Sequence, residues 1–231
     1  MSAFVAVICG LKSEAAAITA SLNAARIDAS KANIAVSGAN AARAEDLTDG
    51  LIAAGAKAVI SAGLCGGLDP ALKSGELVIG ERVVSASGDV VLADRRLLAA
   101  APKGAPHVAI FGSDEIVDSA DTKAKLFGRY ASQTVDMESH GAARAAARAN
   151  IPFIAVRAVA DGAARALPKA ALNAVTPSGG VNVVSVLIEC VKAPQQFEEI
   201  AMLGRESGAA TETLRRDFGD AFRAFLLALD L

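Results

Sequence analysis

Ala58-Val59-Ile60-Ser61-Ala62-Gly63-Leu64-Cys65-Gly66-Gly67 is the stretch on which the fold turns. Ala58 to Ser61 reads as a strand. It runs into a glycine-rich turn, Ala62 to Gly67. A strand ending in glycines suits an α/β sheet, where ligands gather at the carboxyl ends of strands.

The same grammar repeats outward. Phe4 to Cys9 reads as a buried strand followed by a helix over Ser13 to Ala25. Ile34 to Ser37 is a shorter strand, and Ala41 to Ala54 a helix that Gly55 stops. Leu77 to Ser85 and Val90 to Leu92 alternate enough to be strands near a hairpin turned by Ser87-Gly88-Asp89. Val108 to Phe111 is a strand and Thr122 to Tyr130 a helix. Ser139 to Ala149 is an Ala-rich helix ended by Asn150 and Pro152, and Phe153 to Val159 is another buried strand. Val181 to Cys190 and Gly208 to Leu231 read as helices. Such alternation predicts one α/β domain over residues 1–231, its largely parallel sheet covered on both faces. Ala163 to Ser178 is the least regular part, a surface loop or a lid.

Composition narrows the function. The chain has 231 residues, 53% of them hydrophobic, enough to fill a core and exclude global disorder. A net charge of −2 argues against a nucleic-acid surface. Three separated cysteines offer neither metal-ligand spacing nor a disulfide framework, and Cys9 and Cys190 read as small buried hydrophobes. The apolar run at the N-terminus lacks a basic region before it and a cleavage site after it, so a core strand fits better than a signal peptide. No apolar segment reaches the ~18 residues of a membrane span, and the expected location is cytoplasmic. Phe218, Phe222, Phe225 and Leu226 recur at helical spacing with Arg215, Arg216 and Arg223 among them. That stripe is either a packed helix or an interfacial one that meets lipid or a lipophilic substrate.

Four segments at strand ends could carry chemistry: Gly10 to Glu14, Gly63 to Gly67, Val135 to Glu138, and Arg157 to Asp161. The glycines permit close backbone approach by a ligand, yet the spacing is neither a dinucleotide fingerprint nor a P-loop. Cys65 has no histidine near it in sequence, so nucleophilic use is disfavoured. Glu138 opens an apolar helix, where capping is the plain reading. A carboxylate beside Met137 also suits a sugar, the acid accepting from vicinal hydroxyls and the thioether covering the ring. His140 should point away as a surface or packing residue, and His107 lies in a loop with no role. Arg157 and Asp161 sit at the end of a buried strand, where unpaired charge is costly. A structural ion pair between Arg157 and an acid such as Glu138, and a general acid at Asp161, both satisfy that constraint.

Taken in order, Ser61 to Leu68, Leu72-Lys73-Ser74-Gly75-Glu76-Leu77-Val78, Val135-Asp136-Met137-Glu138-Ser139 and Val156 to Ala163 resemble the purine nucleoside phosphorylases and nucleosidases, including methylthioadenosine/S-adenosylhomocysteine nucleosidase. The resemblance runs from the first strand to about Ala163. It implies a central mixed sheet, partly closed as a barrel and flanked by helices, and cleavage of an N-glycosidic bond. It assigns Asp161 as the acid that protonates the purine at N7, and Glu14 as the carboxylate near the activated water. Glu138 would hold the ribose hydroxyls, with Met137 packed on the sugar. Ile116 and Val117 match the segment whose backbone pairs with the base. Arg157 would orient the nucleophile or support the ribose-binding carboxylate, and Cys65 and Gly66 would touch substrate. No metal and no cofactor is implied, and phosphate enters only as co-substrate if the reaction is phosphorolytic.

Two departures bear on the chemistry. The phosphorylases carry Gly-Asp-Pro-x-Arg after the first strand, whereas this chain has Gly10-Leu11-Lys12-Ser13-Glu14, which favours water over phosphate as nucleophile. Ala160 stands where the family carries Ser before the acid, removing one hydrogen bond. Within the family, the Gly10 to Glu14 opening, Ser113-Asp114-Glu115-Ile116-Val117 and the apolar C-terminal helix look most like the hopanoid-associated phosphorylases. That branch implies release of adenine from a 5′-substituted adenosine, adenosylhopane in hopanoid biosynthesis. The alternatives are methylthioadenosine/S-adenosylhomocysteine hydrolysis, phosphate-dependent phosphorolysis, and nucleoside binding without turnover. The expected partner is a small nucleoside, lipid-linked in the first case, and the expected state a homodimer or larger homo-oligomer.

Overall fold

β1 (Phe4–Cys9) is buried from Val5 onward because neither of its faces carries a polar side chain. It pairs in parallel with β2 (Ala32–Val36) on one side and with β3 (Ala56–Gly67) on the other. Helices α1 (Lys12–Ala24) and α2 (Ala41–Ala53) make the crossovers. The computed structural model describes residues 3–168, 176, 178–180 and 197–231. The helix expected over Val181 to Cys190, Cys190 itself and much of the irregular Ala163 to Ser178 stretch lie outside the described residues.

From β3 the sheet closes on itself. β3 pairs antiparallel with β7 (Thr134–Asp136), and β7 runs parallel to β6 (His107–Gly112). β6 pairs in parallel with β4 (Leu77–Ser85), β4 antiparallel with β8 (Phe153–Asp161), and β8 returns in parallel to β3. Five strands thus form a closed barrel, with β1 and β2 extending it from β3 and β5 (Val90–Leu92) from β4. The remaining described helices are α3 (Arg95–Ala100), α4 (Ala120–Tyr130), α5 (Ser139–Ala149) and α6 (Phe197–Ala228). The architecture is the mixed, partly barrel-like α/β sheet flanked by helices that the resemblance implies. None of the described helices is long and apolar enough to cross a membrane.

Several elements differ from their sequence reading. The glycine-rich segment is not a turn: β3 continues through Gly67, and its far end pairs with both β8 and β7. Short β7 and α3 carry too few residues for a periodic signal. α6 starts upstream of the expected Gly208, at Phe197.

The aromatic stripe of α6 is core. Phe218, Phe222 and Phe225 are fully buried and cluster with Ile18 and Leu22 of α1 and with Val5 and Val7 of β1. The Gly219 amide donates to Ser21 Oγ at 2.7 Å, locking α6 against α1. The expectation that these phenylalanines serve a greasy substrate is therefore withdrawn: helical spacing of aromatics identifies a buried face without saying what buries it.

Candidate active site

The site assembles where β1, β3, β7 and β8 end. α1 begins just after β1, and Glu14 in its first turn folds back over the helix start. Its Oε2 accepts from the amides of Gly10 and Leu11, both at 2.8 Å, and its Oε1 accepts from the Leu64 amide of β3 at 2.7 Å. A carboxylate is at home against those unpaired amides and the positive end of the helix. The fit leaves no room for side chains on the backbone beneath. A Cβ on Gly63 would lie 2.6 Å from Arg157 Nη1 and 2.8 Å from Glu14 Oε1. One on Gly10 would lie 2.3 Å from Glu138 Oε1. These glycines are there because charged side chains pass directly over the main chain.

Arg157, wholly buried on β8, organises the second group of acids. Its Nε faces Asp136 Oδ2 at 2.8 Å and its Nη2 faces Glu138 Oε2 at 3.3 Å. Nη2 also donates to Ser61 Oγ at 2.6 Å and Ser139 Oγ at 3.0 Å. Asp136 Oδ1 accepts from the amides of Glu138 and Ser139, at 3.1 and 2.9 Å, and so starts α5. Capping, the plain reading of Glu138, belongs to Asp136 instead. That frees Glu138 to face the cavity while its Oε2 stays against the Arg157 guanidinium.

Asp161 closes β8. Its carboxylate meets Lys123 Nζ in a buried ion pair, and Lys123 also donates to the carbonyls of Gly162 at 2.9 Å and Arg165 at 3.0 Å. Glu14, Glu138 and Asp161 line one cavity of about 190 Å³. Met137, Cys65, Gly66, Ile116 and Val117 also line it, so every sequence-derived site residue except Arg157 borders one space. Arg157 lies behind the wall, reaching the cavity only through its acids. Among the described residues no lysine or arginine lines the cavity. Lys12 points to solvent from α1.

Of the two readings of His140, surface or packing, the structure shows the packing one. It is buried on α5, with Nε2 3.0 Å from Asp114 Oδ1. A Cβ on Gly112 would strike its ring, so the imidazole packs on β6 and braces the loop that carries Ile116 and Val117. Cys65 is buried and burial pushes its thiol far above the ordinary range, leaving no thiolate to act as nucleophile.

Burial raises the carboxyls unequally. It pushes Glu138 up to about 8; Arg157 pulls against that, while Asp136 and Glu14 add to it. Burial also raises Glu14 from its ordinary value, opposed by Arg157 and the three amides. Asp161 is raised by burial and restrained by Lys123. The Glu138 shift has a consequence for stability. Below the unfolded value of 4.5 both states hold the proton; between there and about 8 only the folded chain does. Stability from this group is thus present at low pH and lost as pH rises through the folded value. Glu138→Gln should therefore melt higher than the parent at pH 8.5, by several degrees, with the gap closing toward pH 5. Thermal melts across that range check it, and a gap that widens toward acid contradicts the assignment.

Sequence reading did not single out Asp136 or Lys123. Asp136 carried a signal, since a fully buried Arg157 demands more than one anion. Lys123 carried none: in Asp121-Thr122-Lys123-Ala124-Lys125 it looks like one of two solvated helix lysines.

Comparison with known proteins agrees with this architecture. No curated protein sequence matches the chain. The futalosine hydrolase of Helicobacter pylori strain 26695, solved as a mutant, superposes with a TM-score of 0.67 at 16% identity, over 93% of this chain and 98% of that one. The 5′-methylthioadenosine/S-adenosylhomocysteine nucleosidase of Colwellia psychrerythraea 34H, solved with adenine, gives 0.69 at 18% identity, over 97% and 96%. The corresponding nucleosidase of Neisseria meningitidis, solved with methylthio-immucillin-A, gives 0.66 at 21% identity, over 95% and 99%. At these identities the likeness is one of fold. The family described as the phosphorylase superfamily matches residues 4–192, most of the chain. The protein belongs to the phosphorylase superfamily and is an enzyme that cleaves N-glycosidic bonds.

Proposed function

We propose that the protein hydrolyses a 5′-substituted adenosine at the C1′–N9 bond, releasing adenine. The observation that carries this reading is the convergence of three buried carboxyls, Glu14, Glu138 and Asp161, on one small cavity. Breaking the bond leaves positive charge on the ribose and negative charge on the base. Asp161, its carboxyl raised by burial, gives its proton to N7 as the base departs. Glu138 accepts from the ribose hydroxyls, and its carboxyl and that of Glu14 favour the oxocarbenium-like state. Glu14 takes the proton of the water that adds to C1′. Met137 covers the sugar, the backbone at Ile116 and Val117 pairs with the base, and Cys65 and Gly66 form the wall beside it. Arg157 holds Glu138 and Asp136 in place. No step calls for a metal or a redox cofactor.

Water is favoured over phosphate because the described cavity wall carries acids and no cation, a poor reception for a dianion. The 5′ substituent is proposed to be apolar, as in adenosylhopane, because Leu11, Leu64 and Leu167 join the lining. The test is release of the free base, adenine from adenosylhopane, methylthioadenosine and S-adenosylhomocysteine and hypoxanthine from inosine, each with and without phosphate. The expected result is phosphate-independent adenine release, fastest with adenosylhopane. Strict phosphate dependence overturns hydrolysis, preference for methylthioadenosine overturns the lipid-linked substrate, and binding without release overturns catalysis. The cytoplasmic location and homo-oligomeric state read from the sequence stand as proposals alongside it.

A further inference from the structure

Lys123 is the outlier among the described lysines. Its side chain is 1% exposed, whereas a lysine ammonium is almost always kept in water. All three of its donors are used, one on Asp161 and two on the carbonyls of Gly162 and Arg165. Lys123 projects from α4, outside the barrel, so one ammonium ties that helix to the end of β8 and to the turn beyond it. Arg165 extends the tie to α6 through Glu206, at 2.6 Å. Ala160, the residue before Asp161, has no side-chain donor to hold the carboxyl. Asp161 lies 8% exposed in the cavity wall, with Oδ2 taken by Lys123. No hydrogen bond among the described residues engages Oδ1.

We propose that Lys123 is a positioning residue for catalysis: it grips one oxygen of Asp161, aims the other into the cavity, and supplies the positive charge that stabilises the carboxylate once its proton has left. The inference rests on the assignment of Asp161 as the general acid. In a dry wall a carboxyl holds its proton tightly, and a proton held tightly is slow to leave. An ammonium in contact with it offsets the burial of the anion that forms, without entering the bond-breaking step. The charged groups facing Asp161 are Lys123 from α4, Arg165 from the turn after β8 and Glu206 from α6, with the Cys65 thiol of β3 close by. Arg165 and Glu206 pair with each other, which leaves Lys123 as the dominant influence.

The experiment is a set of pH–rate profiles for the full chain and for Lys123→Met, Asp161→Asn and the double variant, on whichever adenosine the parent turns over. Lys123→Met should lower kcat about 10- to 100-fold with KM within about threefold, the range expected for weakened proton donation. It should also move the alkaline limb of kcat/KM upward, because the carboxyl now releases its proton at higher pH. In the Asp161→Asn background the same change should do nothing further, since Lys123 acts only through that acid. Lys123→Gln keeps an amide donor for the two carbonyls and removes the charge. It serves if the Met variant does not fold, and the same limb shift is expected of it. An unmoved alkaline limb, or an additive loss in the double variant, overturns the proposal and marks Lys123 as a structural tie. Full activity of Asp161→Asn instead overturns the acid assignment beneath it.

Discussion

Asp161→Asn is expected to slow adenine release by about 10²- to 10⁴-fold, the span attributed to a lost general acid. Asparagine keeps the shape and can still accept from Lys123, but it has no proton to give N7. KM should change little, because the residue acts on the departing base rather than on ground-state binding. The fold should survive. Lys123 keeps the carbonyls of Gly162 and Arg165, and the backbone of β8 is held by β3 and β4 on either side. Stopped reactions analysed for free adenine, with circular dichroism on the same samples, decide the matter. Turnover within a factor of ten of the parent would remove Asp161 from its role.

Arg157→Met is expected to destabilise the protein by about 3–5 kcal/mol, the usual consequence of removing one partner from a buried ion pair. Methionine fills much of the volume, so a cavity is not the cause. The cause is that Asp136, Glu138 and Glu14, all nine-tenths buried, would lose their shared cation. Glu138 and Glu14 would then hold their protons more tightly in the folded chain, and stability would fall as pH rises through the neutral range. Denaturant melts at pH 5.5 and pH 8 should show the deficit growing with pH. A loss of the same size at both would mean that packing, not charge, explains Arg157. Adenine release should drop with Glu138 no longer fixed, even where the variant remains folded.

The strands and the crossover helices were legible because buried β-branched runs and Ala-rich helices announce themselves within a dozen residues. So were the acids of the site, since Glu14, Glu138 and Asp161 each follow such a run and a charge there needs a reason. What escaped the sequence was pairing across distance. Nothing local says that Gly66 sits opposite both Val135 and Asp161, so the glycines looked like a turn rather than a strand shared by two partners. Lys123 looked solvated because its three acceptors lie about forty residues downstream. Packing was one of the two readings of His140, but its partner, Asp114 in the loop after β6, was not legible. The phenylalanines of α6 were identified as one face, yet only the tertiary structure assigns that face to α1 and β1.

The closed ring of strands also governs how the molecule comes into being. β3 is synthesised early and β8 late, yet each is the other's neighbour for nearly its full length. Until residues 153–161 emerge from the ribosome, β3 and β4 each present an unpaired edge, and such edges invite pairing with other chains. Long-range closure of this kind is slow compared with local helix formation. A nascent chain arrested before β8 is thus exposed to misassembly, and the strand that completes the barrel is also the one that delivers Arg157 and Asp161. Maturation of the scaffold and arming of the catalyst are a single late event.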